Sequence, residues 1–200
     1  MTYKTILADP PWPEHGGGKS KRGADRHYPL MSVRKIAALP VGELAAEDAH
    51  LWLWATGNFL AHAIDCARGW GFRYVNFRPW VKATANYEMC SDERGGEREL
   101  LIVRPQSPGL GQYMRCDAEI LLFCVRGMPM MPKWKPRQTI YAPRGRHSAK
   151  PLIVHEQIER MSPGPWLEMF ARQKREGWAA WGNEVESDIE LPREQTRLAL

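Results

Sequence analysis

A chain of 200 residues with 44% hydrophobic and 26% charged content can bury one full core, which excludes a fibrous or disordered protein. Its net charge of +5 points to an anionic partner. The longest uninterrupted apolar run, Ile120 to Val125, is far too short to cross a membrane, and Met1 leads almost at once into the first predicted strand. Neither a membrane span nor a secretory leader is therefore expected, and the chain reads as an intracellular, cytoplasmic protein. Cys66, Cys90, Cys116 and Cys124 form no CxxC pair, so reduced, mostly buried thiols are expected. His62 and Cys66 stand four apart on a predicted helix, but one helix face supplies only two ligands, and no metal is expected.

Tyr3 to Ala8 is short and rich in β-formers, which predicts a buried strand. It must stop at Asp9-Pro10-Pro11-Trp12, because proline has no N–H to give to a ladder. An acid, two stiff residues and a ring, read as exposed, then stand at the carboxyl end of a strand, the edge where open α/β sheets bind ligands. This group suits the planar amine of a nucleobase, whose lone pair is delocalised and poorly nucleophilic. Asp9 can accept one amine hydrogen and the Pro10 carbonyl the other, Pro11 keeps the backbone still, and Trp12 offers a face to a flipped base. The competing reading is a strand-ending turn with a core tryptophan. The strand directly before and the aromatic directly after favour function.

His15 to Gly23 reads as a mobile basic loop. It contains Gly18-Lys19-Ser20, the tail of a phosphate-binding loop, but the leading glycine of that pattern would fall at Pro13. A lid that touches nucleic-acid phosphates through Lys19, Lys21 and Arg22, with Tyr28 beside them, is the preferred reading. Ser32 is expected to cap a short helix over Val33 to Leu39. His50 to Ala55 reads as a strand, Asn58 to Trp70 as a helix, and Tyr74 to Val81 as a strand followed by Lys82. The order β-α-β-α-β marks an α/β sheet. Residues 83 to 117 break this rhythm and read as irregular, with one small strand over Glu99 to Val103. Ala118 to Val125 returns to a buried strand.

Between Ile120 and His155 there are seven Lys or Arg and no Asp or Glu, with Trp134 and Tyr141 interleaved. That combination fits a nucleic-acid surface, and Lys82, Lys133, Lys135, Arg137, Arg144, Arg146 and His147 are its candidate contacts. Pro151 is expected to open a helix that runs to Met161 and ends at Ser162-Pro163-Gly164. Trp166 to Phe170 and Trp178 to Trp181 are the last strands. The domain spans residues 1–184, and the tail from Val185 to Leu200 reads as frayed or as a small surface helix.

Five motifs then fall in one order: Asp9-Pro10-Pro11-Trp12, His147-Ser148-Ala149-Lys150-Pro151, Glu159-Arg160-Met161-Ser162-Pro163-Gly164, Glu168-Met169-Phe170-Ala171-Arg172 and Trp181-Gly182-Asn183-Glu184. Together they resemble the adenine-N6 methyltransferases typified by the catalytic subunit of the eukaryotic messenger-RNA methyltransferase complex, which has bacterial and phage members. The resemblance implies a Rossmann-like, three-layer αβα fold with a mostly parallel mixed sheet and S-adenosylmethionine as methyl donor. It also implies a permuted order, in which the catalytic motif precedes the main cofactor-binding strand. By resemblance, Lys150 sits near the methionine end of the cofactor, Phe170 and Arg172 flank it, Asn183 and Glu184 reach the ribose, and Asp9 touches the cofactor side.

The chain departs from the pattern in two ways. Ala171-Arg172-Gln173-Lys174 stands where other methyltransferases carry a glycine-rich loop, and no segment precedes the catalytic strand. Residues 83–117 resemble a target-recognition insertion. The expected substrate is nucleic acid, DNA before RNA, as for a bacterial or phage member, and a homo- or heterodimer is left open. The alternatives are an inactive partner subunit that only binds nucleic acid, and the same chemistry on cytosine N4.

Overall fold

The computed structural model describes residues 1–14, 30–91, 97–108, 113–145 and 149–192. The expectations placed on Lys19, Lys21, Arg22, Tyr28, Arg146 and His147 lie outside the described residues. β1 (Tyr3–Ala8) is central to the sheet, and only Lys4 along it is exposed. It pairs in parallel with β2 (Ala45–Ala55) on one side and with β7 (Trp166–Met169) on the other, and β7 pairs in parallel with β8 (Trp178–Trp181). Beyond β2 the pairing turns antiparallel, through β5 (Ala118–Arg126), β3 (Arg73–Ser91) and β4 (Glu97–Pro105). The order is β4-β3-β5-β2-β1-β7-β8, with β6 (Ile140–Ala142) joined in parallel to β3.

Period-2 alternation sends the apolar side chains of the inner strands to both faces, so both must be covered. Ile6, Ala8, Leu51, Leu53, Leu167 and Met169 meet α1 (Val33–Ala37) and α3 (Leu60–Gly69) through Ile36, Ala63, Cys66 and Ala67. Leu7, Trp52, Trp54, Trp80 and Leu121 meet α4 (Ile153–Met161) through Val154 and Ile158. The result is the expected α/β, Rossmann-like three-layer sandwich around a mixed sheet. Ser32 caps α1 by accepting from the Lys35 N–H at 3.3 Å. No helix among the described residues is long and apolar enough to cross a membrane. Of the four cysteines, all unpaired, Cys66 and Cys124 are buried, and burial pushes their thiols up to about 11 and about 12; Cys116 is exposed.

Several boundaries differ from the sequence reading. The first part of residues 83–117 is not irregular: β3 runs on to Ser91 and pairs with β4 from Ala83↔Pro105 to Ser91↔Glu97, building a two-stranded arm. Its flanks look like a loop in sequence because an arm wetted on both faces needs no apolar alternation. A short helix α2 (Val41–Leu44) and β6 were not expected, and the predicted helix at Asn58 begins with a 3-10 turn over Gly57–Phe59. The tail is neither frayed nor helical as far as residue 192. Asp188 exchanges backbone and side-chain bonds with Ala180 at 2.8 and 2.9 Å, and Ile189 and Leu191 pack on the core.

A buried polar group locks α4 to the sheet. Ser162 Oγ accepts from Trp52 Nε1 at 3.0 Å and lies 2.8 Å from His50 Nδ1, so one hydroxyl serves both rings. Thr5 Oγ1 donates to the Pro163 carbonyl at 2.7 Å, holding the turn after α4 against β1.

Candidate active site

Because β1, β7 and β8 are parallel, the residues that follow them emerge at one edge of the sheet. Asp9 N–H donates to the Met169 carbonyl at 3.4 Å, which ties the ends of β1 and β7 together. Lys150, on the approach to α4, places Nζ 2.8 and 2.7 Å from the two Asp9 carboxylate oxygens. The same ammonium lies 3.3 Å from Glu119 at the start of β5, and Lys82 of β3 lies 2.8 Å from the other Glu119 oxygen. Trp54 and Trp80 floor the group, with Lys150 Nζ 5.4 Å and Lys82 Nζ 5.3 Å from their rings.

Four charges of zero net sum are thus gathered where side chains are only 14–24% exposed. Burial alone would lower the Lys150 ammonium, but Asp9 and Glu119 outweigh it and hold it above the usual lysine range. Burial raises the Glu119 carboxyl, but Lys150 and Lys82 outweigh it and hold it below the usual range. At Asp9 burial prevails over the pull of Lys150, and the carboxyl is pushed up. A carboxylate offers about four acceptor positions, so with Lys150 bound to both oxygens Asp9 still has acceptor capacity.

The turn after Asp9 is closed by short-range bonds. Trp12 N–H donates to the Pro10 carbonyl at 2.8 Å, leaving that oxygen a second lone pair, and Met31 N–H donates to the Pro11 carbonyl at 2.9 Å. Trp12 overturns the expectation of an exposed ring. It is 5% exposed, its Nε1 donates to the Trp54 carbonyl at 2.9 Å, and it stacks on Phe59 at 5.7 Å. A flipped base has no free face of that indole to stack on. The ring instead clamps the Asp-Pro-Pro turn to β2, the reading first set aside as a core tryptophan.

At the end of β7, Phe170 turns the chain with a φ of 63°, rare for a residue with a side chain. Its ring meets Trp181 edge-on at 5.3 Å. Beside it Gly182 leaves no room for a Cβ, which would fall 2.2 Å from the Ala171 carbonyl oxygen, so the ends of β7 and β8 touch through backbone. Arg172 Nε lies 3.5 Å from Glu184, and Asn183 and Glu184 are exposed. The positive charge of Arg172 also acts on Asp9, joining the two halves of the edge electrostatically.

The candidate nucleic-acid contacts divide. Lys82 belongs to the charge cluster rather than to an exterior basic surface, since Glu119 draws its ammonium inward. Lys133, Lys135 and Arg137 are exposed, and Arg144 is exposed with its N–H bonded to Gln106 Oε1 at 2.7 Å. Glu119 escaped the sequence reading. Its signal was there: no other acid follows it until after His155, so it is the carboxylate available to lysines brought to that strand end. Among the described residues, no group of three or more His, Cys, Asp or Glu is gathered as metal ligands would be.

Comparison with known proteins agrees with this geometry. The family model MT-A70 matches residues 3–184. The type II methyltransferase M.MunI of Mycoplasma sp is 29% identical, over 95% of this chain and 81% of its own length. The human N(6)-adenine-specific methyltransferase METTL4 is 27% identical over 92% of this chain, and the N6-methyladenosine RNA methyltransferase MTA1 of Pyricularia oryzae is 27% identical over 92%. The chain spans only 38% and 47% of those two longer relatives. With five ordered motifs, a Rossmann-like sheet and a charged strand-end site in place, the chain belongs to the MT-A70 family of adenine-N6 methyltransferases.

Proposed function

We propose that the chain transfers a methyl group from S-adenosylmethionine to the N6 amine of adenine in nucleic acid, and that the nucleic acid is DNA. The observation that carries the chemistry is the buried neutral cluster of Asp9, Lys150, Glu119 and Lys82 beside the Pro10 carbonyl. Spare acceptor capacity beside the Pro10 carbonyl supports catalysis over the alternative of a subunit that only binds. The preference for DNA rests on M.MunI, a type II methyltransferase and the relative of these three that the chain spans most fully.

The residues present fit the cofactor. Its amino-acid end carries one charge of each sign, and Lys150 and Asp9 offer the complementary pair. Glu184, a strand-end carboxylate with 54% of its side chain exposed, and Asn183 suit ribose hydroxyls. When bound, the cofactor supplies an electrophilic methyl carbon on a positively charged sulfur. Asp9 and the Pro10 carbonyl would then hold the two amine hydrogens of adenine, which favours a pyramidal nitrogen whose lone pair is localised rather than delocalised into the ring. Both acceptors are fixed before reaction by Lys150, the prolines and the Trp12 clamp, so little reorganisation is needed as charge grows on nitrogen. Methyl transfer to that nitrogen would leave the bonding pair on the donor's sulfur, and the amine would then shed a proton. The burial that raises the Asp9 carboxyl makes its oxygens a better acceptor for that proton.

The arm of β3 and β4 is proposed as the target-recognition insertion. The experiment is transfer of labelled methyl to a matched panel of DNA and RNA, followed by digestion and nucleoside analysis. The expected product is N6-methyldeoxyadenosine; label on cytosine, or on RNA alone, would contradict the reading.

A further inference from the structure

The basic stretch after β5 is built rather than merely solvated. Between residues 132 and 137 exposure alternates: Pro132, Trp134 and Pro136 are half-buried, and Lys133, Lys135 and Arg137 are exposed. Trp134 is held from beneath by the Arg160 guanidinium of α4, 4.0 Å over its ring. Arg78, 6% exposed, fixes the far end by donating from Nη2 to the Arg137 carbonyl at 2.9 Å and from Nε to the Gln138 carbonyl at 3.2 Å. Its Nη1 donates to Gln157 Oε1 of α4 at 2.7 Å, so the segment is bolted to both sheet and helix. Gln138 Nε2 donates to the Phe77 carbonyl, and Ile140 and Ala142 pair with Trp80 and Lys82. The chain thus climbs alongside β3 towards the active-site edge.

An aromatic surface lies next to this basic row. Tyr87, on the β3–β4 arm, is 50% exposed, Met89 beside it is 63% exposed, and the Arg137 guanidinium lies 5.9 Å from the Tyr87 ring. A row of exposed cations on an anchored backbone with an adjoining half-exposed ring suits single strands, the cations following the backbone and the ring taking a base. A duplex keeps its bases stacked inside and would use only the cations.

We infer that Lys133, Lys135, Arg137 and Tyr87 form a docking track for single-stranded nucleic acid, separate from the reacting edge. This deepens the proposed function, on which it rests for the identity of the ligand class.

The test measures binding of the full chain to a labelled single strand of about 12 nucleotides, within the span of one such site, and to a hairpin duplex. Tyr87→Ala should weaken the single strand by about 5- to 150-fold, the equivalent of one lost base stack, and leave the duplex within about two-fold of wild type. Tyr87→Phe should restore single-strand binding. Replacing Lys133, Lys135 and Arg137 together by alanine should reduce the salt slope for the single strand by about 2, at about 0.7 per phosphate. Equal losses of Tyr87→Ala on both substrates, or no loss on either, would overturn the track. Methyl transfer run in parallel separates the two claims: transfer without any Tyr87 dependence removes the track alone. Binding that depends on Tyr87 in the absence of transfer leaves the track standing and removes the activity.

Discussion

Trp12 decides how the catalytic turn is held. Its indole is 5% exposed, stacks on Phe59 and donates to the Trp54 carbonyl at 2.9 Å. Trp12→Ala removes a whole buried indole from the site, and such truncations cost roughly 3–5 kcal/mol. Part of that is the ring stack, about 0.5–1.5 kcal/mol, and part is the stranded Trp54 carbonyl, about 1–3 kcal/mol. For a domain of this size each kcal/mol lowers Tm by about 2–4 °C, so calorimetry should show a fall of roughly 6–20 °C. Trp12→Phe keeps a ring on Phe59 and should lose less. Because the indole has no face open to substrate, loss of kcat/KM should be similar on matched duplex, mismatched duplex and single strand. A variant with near-native Tm whose defect is confined to paired substrate would refute this reasoning and return Trp12 to a base-stacking role.

Glu119→Gln should leave Lys82 and Lys150 under-compensated; breaking a buried pair costs about 3–5 kcal/mol, taken here as about 2–4 kcal/mol for partly wetted groups. Calorimetry should show Tm lower by roughly 4–16 °C, and an unchanged Tm would remove Glu119 from the cluster. Burial lowers the His50 pKa from 6.5 to about 4, so the folded chain binds its proton less readily than the unfolded chain. The resulting stability, roughly 3 kcal/mol, is complete above about pH 6.5 and is lost as pH falls towards 4. Urea midpoints should decline across that window in the wild type and decline less in His50→Asn; equal slopes would show that His50 does not titrate as argued.

What was legible in the chain follows from how local each signal is. β1 and the Asp-Pro-Pro turn could be read directly, since a β-rich run stopped by two prolines needs no tertiary partner to be recognised. The pairing of Lys150 with Asp9, 141 positions apart, has no local signature, and the resemblance directs each residue to the cofactor rather than to the other. Glu119 was hidden because one acid ahead of an apolar run looks like the wet end of a strand; only the fold brings Lys82 and Lys150 to it. Trp12 was misjudged because a ring flanked by Pro11 and Pro13 shows no periodicity, and the Trp54 carbonyl that draws it inward lies on another strand. Of the β3–β4 arm, the strand expected over Glu99 to Val103 lies within β4, whereas the extension of β3 from Ala83 to Ser91 was missed because its exposed polar residues suit a wetted ribbon as well as a loop.

Methyl transfer by wild type and Asp9→Ala, measured beside cofactor affinity, tests the central claim most directly. Removing Asp9 leaves Lys150 paired with Glu119 but gives the cluster a net positive charge, so circular dichroism should show the fold retained while Tm falls by about as much as in Glu119→Gln, roughly 4–16 °C. One lost preorganised group costs on the order of 100- to 1000-fold in rate. The wild type should label adenine N6 in DNA, and Asp9→Ala should fall by at least that factor while remaining folded. A folded Asp9→Ala variant that still methylates adenine N6 at near-normal turnover would contradict the account.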